Sequence, residues 1–446
     1  MKFNINIPTN ANALIHILQK HGHVAYVVGG CVRDSILGRN PHDWDICTSA
    51  TPSEMLDIFN DKKVIETGLQ HGTITVVVDD ESYEITTFRL DGDYSDHRRP
   101  DVVTFTSNLE EDLSRRDFTI NAMAYNDDEG LIDPFGGLLD IENGQIKCVG
   151  NANHRFQEDA LRVLRALRFA CQTNFEIELH TSRAIDSNAH LLDMISKERI
   201  NSELCKMVTS SSFPCVLIVY VNVFCRIIPE LNDMVGFNQN NPYHDYDVFI
   251  HTARALMHDS SSDLITRLAI LFHDFGKPHC YQDGDDGIRH FKGHGKVSAE
   301  ITDYIMLRLR SDNQTRHDVA ELVHYHDATF EVGHKYVKRW LNKIGEKQFR
   351  RLLDVRRADI RGQKKEYDAE RINKVDIIEQ MIDEVLQDGE CFSIKSLAIN
   401  GNDLLNIGYK TGKELGRTLS VLLQMVIDGE ILNDKDELLK IAKDMM

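Results

Sequence analysis

Two carboxylates, Asp43 and Asp45, stand two residues apart in His42–Ile46, shortly after the Gly29-Gly30 pair. The segment His23–Gly30 (HVAYVVGG) predicts a buried strand running into a glycine turn, Cys31–Leu37 a helix, and Trp44–Cys47 a second strand. Strand side chains repeat with period two, so both aspartates project from one face and repel unless a cation lies between them. Such an all-oxygen pair suits Mg2+, which also takes substrate phosphates. The backbone N–H of Gly30 at the helix start and the Arg33 guanidinium suit those phosphates. Together these elements describe a nucleotide-polymerising site, in which two metal ions would neutralise the attacking and leaving oxygens. Asp-x-Asp alone would read as a turn cap. The Gly-Gly-x-x-Arg-Asp lead-in, Gly29–Asp34, favours chemistry.

The stretch GGCVRDSILGRNPHDWDICT resembles the signature of the class II tRNA nucleotidyltransferases, the CCA-adding enzymes and their poly(A) polymerase relatives. Four further blocks follow in the family's order over roughly the first half of the chain: TTFRLDGDYSDHRRPDVVTF, RRDFTINAMAY, EDALRVLRALRF and SKERINSEL. The resemblance implies an α+β fold. A polymerase-β-like nucleotidyltransferase head with a mixed sheet would precede an all-helical neck, body and HD-type domain. It also implies Arg116 at the nucleotide, Asp117 near the ribose and Asn121 orienting the same site. The stretch Phe118–Ala124 reads as helix-like.

In Glu158–Arg162, Asp159 and Arg162 are three apart, which on a helix puts them on one face. The carboxylate can accept from a base amino group, and the guanidinium can donate to a ring nitrogen. Adenine and cytosine both carry an amino group beside a ring acceptor, so one adjustable pair could serve CTP and ATP. The resemblance supports this role, with Arg165 and Arg168 also near the nucleotide. It makes Leu90–Pro100 (LDGDYSDHRRP) the loop that helps switch from CTP to ATP. CC-only members lack that loop, so full CCA addition and A-addition both stay open. Arg199 and Glu203 read as braces between neck helices.

The second half carries a different chemistry. His273-Asp274-Phe-Gly-Lys277 resembles the core of an HD-type metal phosphohydrolase pattern, with His251 as the upstream ligand and Asp327 in HYHDA as the downstream one. Imidazole with carboxylate suits Mg2+, Mn2+, Ni2+ or Fe2+. His290, His294, His324 and His326 could line the same site or hold a second metal. By resemblance, HD domains fused to this head act as phosphodiesterases or phosphatases on tRNA ends. The other reading keeps them only as a helical tRNA-binding body.

The elements that must position these groups fall into four expected segments. They are a head at 1–140, a helical neck and body at 141–235, an HD-type domain at 236–365 and a helical tRNA-binding tail at 366–446. Pro229 and the Asn238–Pro242 cluster mark a boundary. The chain has 446 residues, too many for one ordinary core. No apolar run approaches a membrane span and no signal-peptide pattern opens the sequence. Nine cysteines without a Cys-x-x-Cys pair fit reduced thiols in the cytoplasm.

The expected partners are tRNA, CTP and ATP, with neither DNA nor a membrane among them; the sequence does not speak to oligomeric state. A net charge of −19 sits awkwardly with RNA. Twelve Lys and Arg between Lys335 and Lys365, Arg356 and Arg357 among them, are therefore the expected contact with tRNA phosphates. The leading reading is template-independent CCA addition to tRNA. Its alternatives are an A-adding enzyme, a poly(A) polymerase or, from another class, an HD phosphohydrolase with an RNA-binding head.

Overall fold

A computed structural model of the chain describes residues 4–92, 102–242, 244–259, 261–365 and 368–446. It divides into two units, Met1–Pro229 and Glu230–Met446, so the break falls at the predicted proline. The expected boundaries at 141 and 366 lie inside these units.

The first unit opens with a mixed sheet. Its strands are β1 (Ala25–Val28), β2 (Ile46–Thr48), β3 (Lys63–Ile65), β4 (Thr73–Val78), β5 (Glu81–Thr87), β8 (Ala124–Asn126) and β9 (Gly130–Ile132), in the order β3-β4-β5-β2-β1-β8-β9. A separate ribbon pairs β6 (Arg89–Asp91) with β7 (Val103–Phe105). It flanks the predicted switching loop, of which 93–100 lie outside the described residues. Within the seven-stranded sheet only β2 and β5 run parallel. Every residue of β1 is buried, as its unbroken apolar run requires. The β4–β5 hairpin turns on Asp79 and Asp80, at φ 49° and 62°. Aspartate tolerates this left-handed region, which a two-residue hairpin turn demands.

Gly29 ends β1 at φ 80°, a conformation only glycine takes freely, and the Gly30–Ile36 helix starts at the next residue. The second strand starts later than expected, at Ile46. Asp43 and Asp45 therefore lie in the run leading into β2. The Asp45 carbonyl still accepts from the Val28 N–H at 3.0 Å, so Asp45 keeps the sheet's register. The predicted helix at Phe118–Ala124 is one short turn, Thr119–Asn121, followed by β8.

Helices dominate after Ala152: Ala152–Glu158, Leu161–Thr173 and Lys197–Val208 in this unit. The all-helical expectation is interrupted by two-stranded ladders, β10 (Gln145–Ile146) with β11 (Glu176–Ile177) here, and β12 (Gln282–Asp283) with β13 (Arg289–His290) in the second unit.

The second unit is built on the helices Val248–His258, Leu264–Phe272, His294–Arg308, Asn313–Tyr325, His334–Gly362 and Asp368–Gln387. Asp247, Asp263 and Asp312 cap three of them, each accepting from a backbone N–H of the first turn. Gly276 lets the 273–277 turn lie against the His294–Arg308 helix: a Cβ there would stand 2.5 Å from the His294 carbonyl. A smaller core, including Leu404, Leu422, Ile427 and Leu438, closes the C-terminal segment. Among the described residues no helix is long and apolar enough to cross a membrane.

Candidate active site

Asp43 and Asp45 lie just before β2, and both are solvent-exposed. Partial desolvation pushes the Asp45 carboxyl above its ordinary value; Glu84 and Asp43 add to this and Arg116 opposes it. The residue Glu84 was not anticipated. It stands on β5, where the β2–β5 register pairs Ile46 with Ile85, and so continues the acidic edge beside Asp45. Crowded carboxylates with one nearby guanidinium are suited to cations.

Arg116 is held from behind. Asp112, fully buried, takes Arg115 Nη2 at 2.8 Å, Arg116 Nη2 at 3.3 Å and the Arg89 N–H at 3.2 Å. The three- and four-residue spacing from Asp112 to these arginines was the available signal for it. Arg116 also reaches the glycine turn, since a Cβ on Gly29 would stand 3.0 Å from its Nη1.

Asp117 anchors a second group. Its carboxylate accepts from Asn121 at 3.0 Å and from Arg165 Nε at 2.8 Å and Nη2 at 2.5 Å. Burial would raise this carboxyl, but Arg165, Asn121 and Arg162 outweigh it and hold it down at about 2. Asn121 Oδ1 in turn accepts from Arg33 Nη1 at 2.7 Å. Arg33, Arg165 and Arg168 converge on the ring of Phe169, with guanidinium carbons 4.9, 5.3 and 4.3 Å from its centroid. Phe169 is one of the buried residues of the Leu161–Thr173 helix. Arg168 is fixed by Glu203 at 2.8 Å. Arg33, His42, Phe169 and Lys206 are among the residues around a cavity of about 570 Å³.

Asp159 and Arg162 do not share one helix. The chain is extended at Asp159 (φ −129°, ψ 103°), between the Ala152–Glu158 and Leu161–Thr173 helices. Asp159 Oδ1 instead accepts from the Leu161 N–H at 3.0 Å, and its other oxygen meets Arg199 at 3.1 Å. A carboxylate able to cap the following helix competes with continuing the preceding one, which explains the break. Arg162 is buried; it donates to Glu158 at 2.6 Å and to the Arg115 carbonyl at 2.9 Å. Arg199 therefore supports Asp159, a closer role than general bracing of the neck.

In the second unit His251, His273 and Asp274 come together as predicted, all buried. Asp327 does not join them. Its side chain is 58% exposed, and its contacts are Arg356 at 3.7 Å and His294 Nδ1 at 3.8 Å. Asp359 lies beside them instead, its Oδ1 3.1 Å from His251 Nε2 and 3.8 Å from His273 Nε2. Asp327 follows the Asn313–Tyr325 helix and points outward; Asp359 faces inward from the last turn of the His334–Gly362 helix. Its place in a basic run had hidden it. His294 and His326 also reach Asp274, while His290 and His324 stay outside this group.

Burial alone would raise the Asp274 carboxyl, but His273 and Lys277 hold it well below the usual range. His244, stacked edge-on against His251, is pushed down to about 3 by burial, with Lys277 and His251 adding.

The basic stretch is largely spent on internal ion pairs. Lys338 meets Glu390 at 2.8 Å, Arg339 meets Asp428 at 2.7 Å, and Arg351 meets Asp263 at 2.9 Å. Arg356 meets Asp359, and Arg357 is ringed by Asp354, Asp376 and Glu379. The two arginines singled out as phosphate contacts are thus also paired within the fold.

Comparison with known proteins bears on both units. Residues 25–147 match the family described as the Poly A polymerase head domain, 174–234 an RNA- and SrmB-binding site of polymerase A, and 296–442 a tRNA nucleotidyltransferase domain 2. The CCA-adding enzyme of Ligilactobacillus salivarius is 34% identical over 453 residues, covering 99% of this chain and 98% of the relative. That of Lactobacillus johnsonii is 53% identical over 210 residues, 46% of this chain; that alignment spans about half, 52%, of the relative's length. The solved CCA-adding enzyme of Bacillus stearothermophilus, in complex with CTP, superposes with a TM-score of 0.70 at 28% identity, covering 99% of this chain and 98% of that one.

Proposed function

The chain belongs to the CCA-adding enzymes, a family of tRNA nucleotidyltransferases, and we propose that it builds the 3′-terminal CCA of tRNA from CTP and ATP. The observation that carries this reading is the acidic Asp43/Asp45 edge with Arg116 beside it, and the arginine group gathered on Asp117 and Phe169 supports it. In each step the 3′-oxygen of the tRNA attacks the α-phosphorus of the nucleotide, a P–O bond forms, and pyrophosphate departs.

Asp43 and Asp45 are the residues that would hold Mg2+, and the crowding of Asp45 by Glu84 and Asp43 fits a cation there. The ions would supply charge neutralisation at the attacking and leaving oxygens. Arg116 and Arg33, with the Gly30 backbone, bind the triphosphate. Asp117 and Asn121 fix the arginines and lie near the ribose. Asp159 and Arg162 read the base, and Arg165 and Arg168 border the same nucleotide. To read it, Asp159 exchanges Arg199, and Arg162 exchanges Glu158, for the base edge.

The test is a purified chain given tRNA ending at the discriminator base, at -C or at -CC, with CTP, ATP or both. Completion of all three substrates is expected. Addition of A alone, and only to the -CC substrate, would replace the proposal with an A-adding enzyme.

A second reading concerns the other unit, where His251, His273, Asp274 and Asp359 would bind a divalent metal such as Mn2+, Ni2+, Mg2+ or Fe2+ and support phosphohydrolase chemistry. Its support is a set of buried donors with no other evident purpose. Both activities belong in the cytoplasm, a placement that the nine unbridged cysteines support.

A further inference from the structure

The basic run of the second unit ends on cations that the fold leaves unpaired. Arg361 closes the last turn of the His334–Gly362 helix and Lys365 follows it. Both are exposed, and among the described residues neither meets a carboxylate. Lys364 between them is taken by Asp245 at 3.0 Å. The Val248–His258 helix adds Arg254 and His258, four apart and so on one face. The two helices cross at Gly362, where a Cβ would stand 3.1 Å from the Ala255 nitrogen and 3.2 Å from its Cβ. Arg254 and Arg361 are the residues just before Ala255 and Gly362, so the crossing carries both pairs of cations to one place.

Their electrostatics agree with that placement. Burial pushes the His258 imidazole below its ordinary value, and Arg254, Arg361 and Lys365 add to this. Asp368 opposes them and is answered in turn by Arg371. Like charges held together repel, and an anion laid across them relieves the repulsion. Arg254 is also braced: its guanidinium carbon lies 4.4 Å from the centroid of the Tyr246 ring, and its buried Nε has no hydrogen-bond partner. Stacking of this kind fixes the plane of the guanidinium. The Tyr246 ring itself is 38% exposed. An open aromatic ring among cations can take a base on its face while the cations take phosphates. In a chain of net charge −19 such a surface runs against the average.

We propose that the face formed by Arg254, His258, Arg361 and Lys365, with Tyr246 beside them, grips the phosphodiester backbone of the tRNA substrate. The proposal rests on the reading of the chain as a CCA-adding enzyme and names where the second unit holds that enzyme's RNA. It moves the phosphate contact from Arg356 and Arg357, which are paired within the fold, to the outer cations of the same run and to the helix that crosses them. Phosphate contacts of this kind fix position and affinity and carry no sequence preference. The face therefore acts on how tightly tRNA is held, and leaves the choice between CTP and ATP to the head.

The experiment compares the full chain with a double variant, Arg361→Glu with Lys365→Glu, whose two side chains are exposed and tie nothing in the fold. Each protein is titrated with tRNA lacking its CCA end at several salt concentrations, with melting curves alongside. The Kd for tRNA should rise about tenfold or more near 0.1 M salt, and the slope of log Kd against log salt should fall by about two, one for each lost phosphate contact. The KM for CTP and for ATP and the melting temperature should stay as in the parent. Arg361→Lys with Lys365→Arg should keep the parent slope. A control, Lys20→Glu with Lys63→Glu, reverses as many exposed charges on the first unit. An equal loss in that control reduces the effect to net charge and overturns the proposal. Parent Kd and slope in the Arg361/Lys365 double variant overturn it too, while CCA addition by the parent still stands. Unchanged tRNA binding with lost binding to phosphatidylserine vesicles overturns it in favour of a lipid surface. Failure of the parent to extend any tRNA overturns the reading on which it rests.

Discussion

Replacing Asp117 by Asn tests whether the head's arginine group is organised by that one carboxylate. Asp117 is buried, and its carboxyl is lowered from an ordinary 3.8 to about 2 by Arg165, Asn121 and Arg162 against the opposing effect of burial. A carboxyl held below its ordinary value stabilises the fold at every pH above that value. The stabilisation is lost as pH falls through 3.8 toward about 2. The displacement of nearly two pH units corresponds to about 2 kcal/mol at neutral pH, roughly half of it gone by pH 3. Asparagine keeps the shape and the bond to Asn121 but leaves Arg165 without its countercharge. The expected result is a head less stable than the parent by about 2 kcal/mol or more at pH 7, with the gap narrowing by about 1 kcal/mol at pH 3. Urea titrations can read this selectively. The chain has two tryptophans, and in a Trp340→Phe background Trp44 reports on the head alone. An equal gap at both pH values would show that Asp117 gains nothing from its charge, and the ion-pair account would fail.

Asp43→Ala or Asp45→Ala should each remove nucleotide incorporation while tRNA binding, followed by gel shift, is retained; turnover in either variant would refute their metal role. Arg162→Ala should lose the preference for CTP and ATP over the other two nucleoside triphosphates in a four-nucleotide incorporation assay. Gly29→Ala adds a Cβ 3.0 Å from Arg116 Nη1 at a φ of 80°, so it should cost about 1–2 kcal/mol in melting experiments and raise the KM for nucleotide. Arg357→Glu would set four carboxylates together where three now surround a guanidinium. It should lower the melting temperature of the second unit, whereas loss of tRNA affinity at unchanged stability would restore the phosphate-contact reading.

The sheet and the glycine turn were legible because each is announced locally. An unbroken apolar run, two glycines and alternating strands say what the backbone must do within ten residues. The break at Asp159 was not legible, because Ala160, Leu161, Leu164 and Leu167 keep helical spacing on through it. Apolar periodicity records the face that is buried, and it is blind to a carboxylate that caps a new helix in mid-pattern. The internal pairing of the basic run was hidden for a related reason. Sequence shows how many cations a segment carries, but their acidic partners, Asp263, Glu390 and Asp428 among them, lie far along the chain.

The exchange of Asp327 for Asp359 carries the same lesson into chemistry. Asp327 follows directly on a histidine pair, so proximity in sequence recommended it, yet the helix ends at Tyr325 and the carboxylate turns toward solvent. Asp359 sits more than eighty residues after Asp274 among arginines, but it shares a helix with Gly362. There the absence of a side chain brings the helix within reach of His251: a Cβ would stand 3.1 Å from that ring's Nδ1. The close approach and the carboxylate three residues before it are one device. A larger residue at 362 would push the helix away and withdraw Asp359 from His251, so Gly362→Val should loosen the cluster without touching any of its donors. This couples the second unit's packing directly to the geometry of its buried donor cluster. It also explains why a reading confined to residue types and spacing singled out Asp327 and passed over Asp359.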